Sequence, residues 1–201
     1  DIETTNRICV LILHFGQLPQ WFEMWKHTAH LNPKIDFLVF QDNLPSAKDS
    51  NVTLINMSLD EFNDLPTMKD QGWFCATPYK LCDVRPAFPF IFNDVIRPYE
   101  FWGWGDLDVF YGDIMNVIGS CFDSADYIAT GRNGESGPLA FVRNCANVND
   151  LWRQLDMREI ITSEKHYAAD EKEIVQLYKD FVRCDIEFRE CLDDLPAYWA
   201  Q

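Results

Sequence analysis

The apolar positions along the chain follow two different periods. In Arg7-Ile-Cys-Val-Leu-Ile-Leu-His14 the middle is continuously apolar, which predicts a strand buried on both faces. Phe15-Gly16 ends it. Leu18, Trp21, Phe22, Trp25 and Ala29 then recur at helical spacing, with Pro19 in a first turn that needs no amide donor and Asn32-Pro33 as the stop. Residues 35–40 predict a second strand, ending at Gln41-Asp42-Asn43, so the opening is a βαβ unit with parallel strands. Residues 44–50 read as a polar loop and 52–57 as a third strand. Ser58 is placed to cap a short helix over 59–65, with Glu61 completing a capping box. Residues 66–77 read as a looser surface or lid segment, and 78–92 as helical turns interrupted at Pro86 and Pro89.

The next stretch organises the rest. Tyr99-Glu-Phe-Trp-Gly-Trp-Gly-Asp-Leu-Asp-Val-Phe-Tyr-Gly-Asp113 predicts an aromatic, buried strand that stops at two aspartates, Asp106 and Asp108. In extended backbone, side chains at i and i+2 share a side, so both carboxylates leave the strand end together. Two carboxylates under an apolar run are costly unless a cation or hydrogen-bond donors meet them. Oxygen-only ligands suit a hard dication, Mn2+ or Mg2+, that keeps some water and takes phosphate oxygens. Beyond it, residues 112–117 predict a turn or short helix, 127–130 and 139–142 strands joined by a loop over 131–137, and 146–155 and 170–181 helices. The last helix presents Ile174, Leu177, Tyr178 and Phe181 on one face, and 184–188 suggest a final strand.

With no internal repeat and no low-complexity linker, residues 1–201 read as one α/β domain with a mostly parallel sheet flanked by helices. Ligands of such sheets bind beyond the carboxyl ends of the strands. Phe15-Gly16, Asp42 and Asp106/Asp108 all fall at such ends. The Trp21/Trp25 stripe reads as core packing rather than a sugar platform unless a face proves exposed, and Trp102 and Trp104 also read as packing.

Composition narrows the chemistry. The chain of 201 residues is 47% hydrophobic, far from the composition of disorder, and long enough for one sizeable core. Its 17 Lys+Arg stand against 32 Asp+Glu, a net charge of −15 that argues against nucleic acid and against a polybasic membrane patch. An anionic ligand needs a metal ion or a local basic cluster here. The seven cysteines include no C-x-x-C pair, so free thiols in a reducing, cytoplasmic setting are expected. No signal peptide or membrane-spanning run is visible, and the glycosylation sequons at Asn51 and Asn56 read as accidental. There is no P-loop, no G-x-G-x-x-G and no H-E-x-x-H, and Gly134-Glu-Ser136-Gly137 falls one residue short of a nucleophile elbow.

The order of parts resembles the GT-A glycosyltransferases: a first strand ending in Phe15-Gly16, a second ending in Asp42, a Lys80-bearing helix, then Asp106-Leu-Asp108. Tyr79-Lys-Leu-Cys-Asp-Val-Arg-Pro86 followed by the aromatic-Gly-D-x-D-aromatic-Gly-Asp frame is similar to polysaccharide-building members from bacterial surface-glycan clusters and chlorella viruses. The resemblance implies hexosyl transfer from a nucleotide diphosphate sugar, a UDP-sugar, to a glycan hydroxyl with Mn2+ or Mg2+ as cofactor, in host cytoplasm if viral. It implies that Asp108 touches the metal, that Asp106 meets the ribose or a metal-bound water, and that Phe15 and Gly16 line the base and ribose. Asp42 would accept from the uracil N–H, and Lys80, with Arg85, would lie near the diphosphate. His166 is the only histidine after the D-x-D, so either it is a further metal ligand or phosphates and water complete the shell. Asp170-Glu171 resembles the late acidic pair that supplies a base in inverting members and orients sugar hydroxyls in retaining ones. The motif order favours retention and leaves inversion open. Two other readings use the same aspartates: a metal-dependent phosphoryl enzyme, such as a nucleotidyltransferase or phosphatase, and a non-catalytic nucleotide-sugar-binding domain.

Overall fold

The computed structural model describes residues 7–130 and 137–178 in full and residues 183–185 as backbone. These form a mixed α/β domain around one eight-stranded sheet, in the order β3-β4-β2-β1-β5-β7-β6-β8. The strands are β1 Ile8–His14, β2 Ile35–Gln41, β3 Ala47–Asp49, β4 Val52–Asn56, β5 Phe101–Gly105, β6 Tyr127–Ala129, β7 Leu139–Arg143 and β8 Arg183–Asp185. The central four, β4-β2-β1-β5, are mutually parallel. β3, β7 and β6 attach antiparallel, and β8 runs parallel to β6. From β1 the chain winds outward through β2 and β4, then crosses back to lay β5 on the other side of β1. The switch point therefore lies between β1 and β5, where the crevice beyond the strands opens to a ligand.

Alternation along the buried strands feeds two cores. Cys9, Leu11, Leu38, Phe40, Trp102 and Trp104 face one, and Ile8, Val10, Ile12, Phe37, Val39 and Phe101 face the other. On β5 the second face carries Phe101 and then glycines, Gly103 and Gly105, where the first face carries Trp102 and Trp104. A Cβ on Gly103 would fall on the Ala140 carbonyl oxygen of β7, so only glycine lets these two backbones approach.

The helices follow most of the expected signals. Helix α1, Phe22–His30, buries Phe22, Trp25 and Ala29, starting after Trp21 rather than near Pro19. Helix α2, Leu59–Asn63, has both hydrogen bonds of the Ser58–Glu61 capping box. Residues 66–77 depart from expectation. Pro66–Gln71 is a helix, α3, with proline in its first turn and Gly72 in the left-handed conformation at its end, and Trp73 and Cys75 are buried. Residues 44–50 likewise contain β3, an exposed edge strand with no hydrophobic alternation to announce it. Residues 78–92 are broken helical turns as expected: a 3-10 turn Pro78–Lys80, helix α4 Leu81–Val84, a 3-10 turn Arg85–Ala87 and a turn Phe88–Ile91. The segment 146–155 breaks after Asn149 into a 3-10 turn, and a helix at Met157–Thr162, capped by Asp156, was not foreseen.

The loop at 131–136, Phe181 and the end of the last strand lie outside the described residues. Cys9, Cys75, Cys82 and Cys145 are free, but Cys121 is disulfide-bonded. That departs from the expectation of free thiols throughout, because pairing depends on approach in space and no local spacing signals it. Asn51 is buried and donates from Nδ2 to the carbonyls of Ala29, Asn32 and Ile35 at 2.9–3.0 Å, which closes that sequon to a glycan in the folded chain. No helix among the described residues is long and apolar enough to cross a membrane.

Candidate active site

Beyond Trp104 the alternation of β5 continues into the acidic turn. Trp102 and Trp104 point to the first core, Asp106 follows them to that side, and Leu107 is buried in the second core. The cation that Asp106 was expected to need is supplied by the protein itself. The Asp106 carboxylate accepts from Nη2 of Arg85, while Nη1 of the same guanidinium donates to Asp170 at 2.6 Å and to the Gly137 carbonyl at 2.5 Å. Arg85 is only 7% exposed. Burial works against its charge, but Asp106 and then Asp170 more than compensate and hold it protonated. Expected as an accessory of the diphosphate, Arg85 is instead the hub that ties β5 to the segment carrying Asp170.

That segment is positioned by a second ion pair. Asp83, on α4, is fully buried and accepts from Lys80 Nζ at 2.7 Å. It also accepts from the backbone amides of Tyr167 and Ala169, each at 3.0 Å. Lys80 donates in addition to the Lys165 carbonyl. The Lys80–Asp83 pair thus staples residues 165–169 against α4, and Ala168 takes the left-handed conformation (φ 53°) as the chain turns into Asp170 and Glu171. Lys80 is therefore a buried structural cation here, not an exposed one awaiting phosphate. Asp83 went unnoticed in the sequence, although its i,i+3 spacing from Lys80 was a usable signal.

Asp170 is 2% exposed, and its carboxyl is pushed up to about 6, chiefly by burial and against the opposing pull of Arg85. It is bonded to Arg85 and shielded from solvent. Glu171 is half-buried and lies over Gly137, where an added Cβ would meet its carboxylate. Asp106 is raised above the usual carboxylate range by burial, against Arg85, with the charges of Asp108 and Glu171 adding to the shift. Asp108 is exposed, and none of the described residues bonds it. Cys82, beside this cluster, has its thiol pushed up to about 11 by burial, which makes it a poor nucleophile.

At the neighbouring strand ends, Asp42 accepts at Oδ1 from the Gly16 amide at 3.0 Å and from Asn43 Nδ2 at 2.8 Å, tying the ends of β1 and β2 together. Gly16 has φ +109° and open space where a Cβ would stand. Phe15 departs from its expected place on the base: it is buried in the first core, 6.1 Å from the ring of Phe62. His166 is not turned to the D-x-D either. Its Nδ1 lies 3.5 Å from Asp83 and its ring 4.8 Å from that of Tyr79. Trp21, read as packing, is 45% exposed, and its indole donates to the Leu107 carbonyl at 2.8 Å.

A family model described as "Family of unknown function (DUF6625)" matches residues 10–198. The chain belongs to DUF6625. No curated protein matches this DUF6625 chain. Among solved structures it is similar to a protein from Desulfovibrio desulfuricans G20 provisionally named a nucleotide-diphospho-sugar transferase. That match has 8% identity over 90% of this chain and 80% of the other, with a TM-score of 0.46. The PaToxG glycosyltransferase (12% identity, 86% and 67% covered, TM-score 0.43) and mouse xyloside xylosyltransferase 1 (10%, 85% and 73%, TM-score 0.41) are similar at the same distant level.

Proposed function

We propose that this chain transfers a hexosyl group from a nucleotide diphosphate sugar, UDP-linked, to a hydroxyl of a glycan acceptor. The observation that carries the reading is the place and state of Asp108. It is an exposed carboxylate with no bonding partner among the described residues, just past the carboxyl end of β5, a strand that flanks the switch point, and near enough to Asp106 for its charge to act there.

The donor set bears on the metal. Among the described residues no group of three or more His, Cys, Asp or Glu side chains is placed to hold an ion. The described residues alone therefore offer no cage. What they offer is oxygen ligands in excess of positive charge, since one guanidinium, Arg85, stands among four carboxylates, Asp106, Asp108, Asp170 and Glu171. This fits Mn2+ or Mg2+ in the mode where one or two carboxylates, water and substrate phosphates share the ion. Asp108 would be its ligand, with the oxygen of Asp106 not bonded to Arg85 close to its shell; His166 is placed elsewhere. Bound there, the ion would supply positive charge to the leaving diphosphate.

The chain's own residues do the rest. Arg85 fixes the rotamer of Asp106 and leaves one carboxylate oxygen for a ribose hydroxyl. Asp42 and Gly16 present a carboxylate oxygen and an open backbone to the nucleoside. Glu171 is the carboxylate able to accept the acceptor hydroxyl's proton in an inverting reaction or to orient sugar hydroxyls in a retaining one; Asp170 holds the arginine that aligns the turn.

Release of UDP from a panel of UDP-hexoses, with and without Mn2+, tests the reading. Asp108→Ala should lower kcat about a hundredfold, roughly 3 kcal/mol of transition-state stabilisation, with thermal stability unchanged because the side chain is exposed and bonds none of the described residues. Turnover that survives Asp108→Ala would refute it.

A further inference from the structure

Trp25, Trp73, Trp102, Trp104 and Trp152 are all buried, but Trp21 leaves 45% of its surface in solvent. It is not a loosely hanging ring. It stands immediately before α1, and its Nε1–H donates to the carbonyl oxygen of Leu107 at 2.8 Å. Leu107 is the residue between the two aspartates, so the indole is pinned by its polar edge to the acidic turn itself. An aromatic ring fixed through one edge with a face open to water loses little rotamer freedom when a flat ligand settles on it.

The surroundings divide the turn into two flanks. Asp106, Arg85 and Asp170 lie toward the first core and are charged. Leu107 and Val109 pack toward the second core, and Phe110, 49% exposed, follows them. A cavity of about 310 Å3 opens there, lined by Val109, Phe110, Ile114, Val117 and Leu139 among others. The charged flank suits a diphosphate. The aromatic flank, which the exposed Asp108 precedes in the chain, suits a ligand with one flat apolar face and a rim of hydroxyls. A pyranose has that form: its C–H bonds stack on an indole while its hydroxyls reach carboxylate oxygens.

We propose that Trp21 is the platform on which the acceptor sugar stacks, placing its hydroxyl at the D-x-D turn. The inference rests on the glycosyl-transfer reading of this same site. The experiment is acrylamide quenching of tryptophan fluorescence in the full chain, using wild type and Trp21→Phe, whose difference isolates the Trp21 signal. The probes are methyl hexopyranosides up to tens of millimolar and, separately, UDP with Mn2+. The pyranosides should shield the Trp21 component and UDP should leave it quenchable. Shielding by UDP alone would make the ring a nucleobase platform and overturn the proposal, as would shielding by neither probe. In transfer assays Trp21→Ala should raise the acceptor KM at least tenfold with kcat lowered less than threefold, and Trp21→Phe, which keeps a ring, should recover most of that loss. A rise in the donor KM instead would contradict the assignment. If pyranosides shield Trp21 and no UDP-hexose is ever turned over, the stacking site stands and the transfer reading fails, so the two failures are distinguishable.

Discussion

A carboxylate removed from water and held against a single guanidinium is pulled in two directions, and at Asp170 burial prevails, lifting its carboxyl to about 6 from an unperturbed 3.8. The folded protein therefore retains a proton there that the unfolded chain has released between about pH 4 and 6. The stability this group contributes is fully present below about pH 4 and declines as pH rises to about 6, by roughly 3 kcal/mol in all. In urea denaturation at pH 4.5, 5.5 and 6.5, wild type should lose stability relative to Asp170→Asn with rising pH. A difference that stays constant across the range would show that Asp170 titrates normally. The acids of this site were legible in the sequence, since a D-x-D at a strand end and a late Asp-Glu pair are local patterns. Their pairing was not. That Arg85 would bridge Asp106 and Asp170, or that Asp83 would neutralise Lys80, depends on which turns of residues 78–92 face the strand end, and Pro86 and Pro89 interrupt that stretch and hide its phase. Phe15 shows the same limit: a residue next to a glycine at a strand end reads as a rim residue, and only the approach of Phe62 takes its ring inside.

At the scale of elements, β5 depends on glycine at a position where its neighbours carry large rings. Gly103 sits against the backbone of β7, which cannot yield as a flexible side chain would. Gly103→Ala should destabilise the fold by about 1–3 kcal/mol, the usual cost of overpacking. For a chain of this size that is a fall in Tm of roughly 2–4 °C per kcal/mol, measurable by calorimetry. A variant as stable as wild type would mean that β5 and β7 do not approach as closely as described. The buried strands β1, β2 and β5 were legible because hydrophobic runs bounded by turn residues leave few alternatives. Helix α3 was missed because residues 66–71 form a short, mostly polar segment, although Pro66 and Gly72, which mark its two ends in the structure, are a start and a stop signal. The exposed edge strand β3 carries no periodicity to find.

Taken whole, the molecule is an acidic α/β domain in which the parallel strands β1, β2 and β5 deliver three loops to one end of the sheet. The first two, at Gly16 and Asp42, are joined to each other by hydrogen bonds, and the third ends in Asp108. With a net charge of −15 and a surplus of carboxylates at the crevice, a diphosphate meets repulsion unless a dication accompanies it. This joint requirement for metal and nucleotide is the account's central claim, and thermal unfolding tests it most directly. UDP or a UDP-hexose at about a hundredfold excess over its Kd should add about 2.7 kcal/mol, roughly 5–10 °C in Tm, with Mn2+ and not with chelator, and the shift should vanish in Asp108→Ala. An equal shift without metal, an undiminished shift in the variant, or no shift with any nucleotide would contradict it.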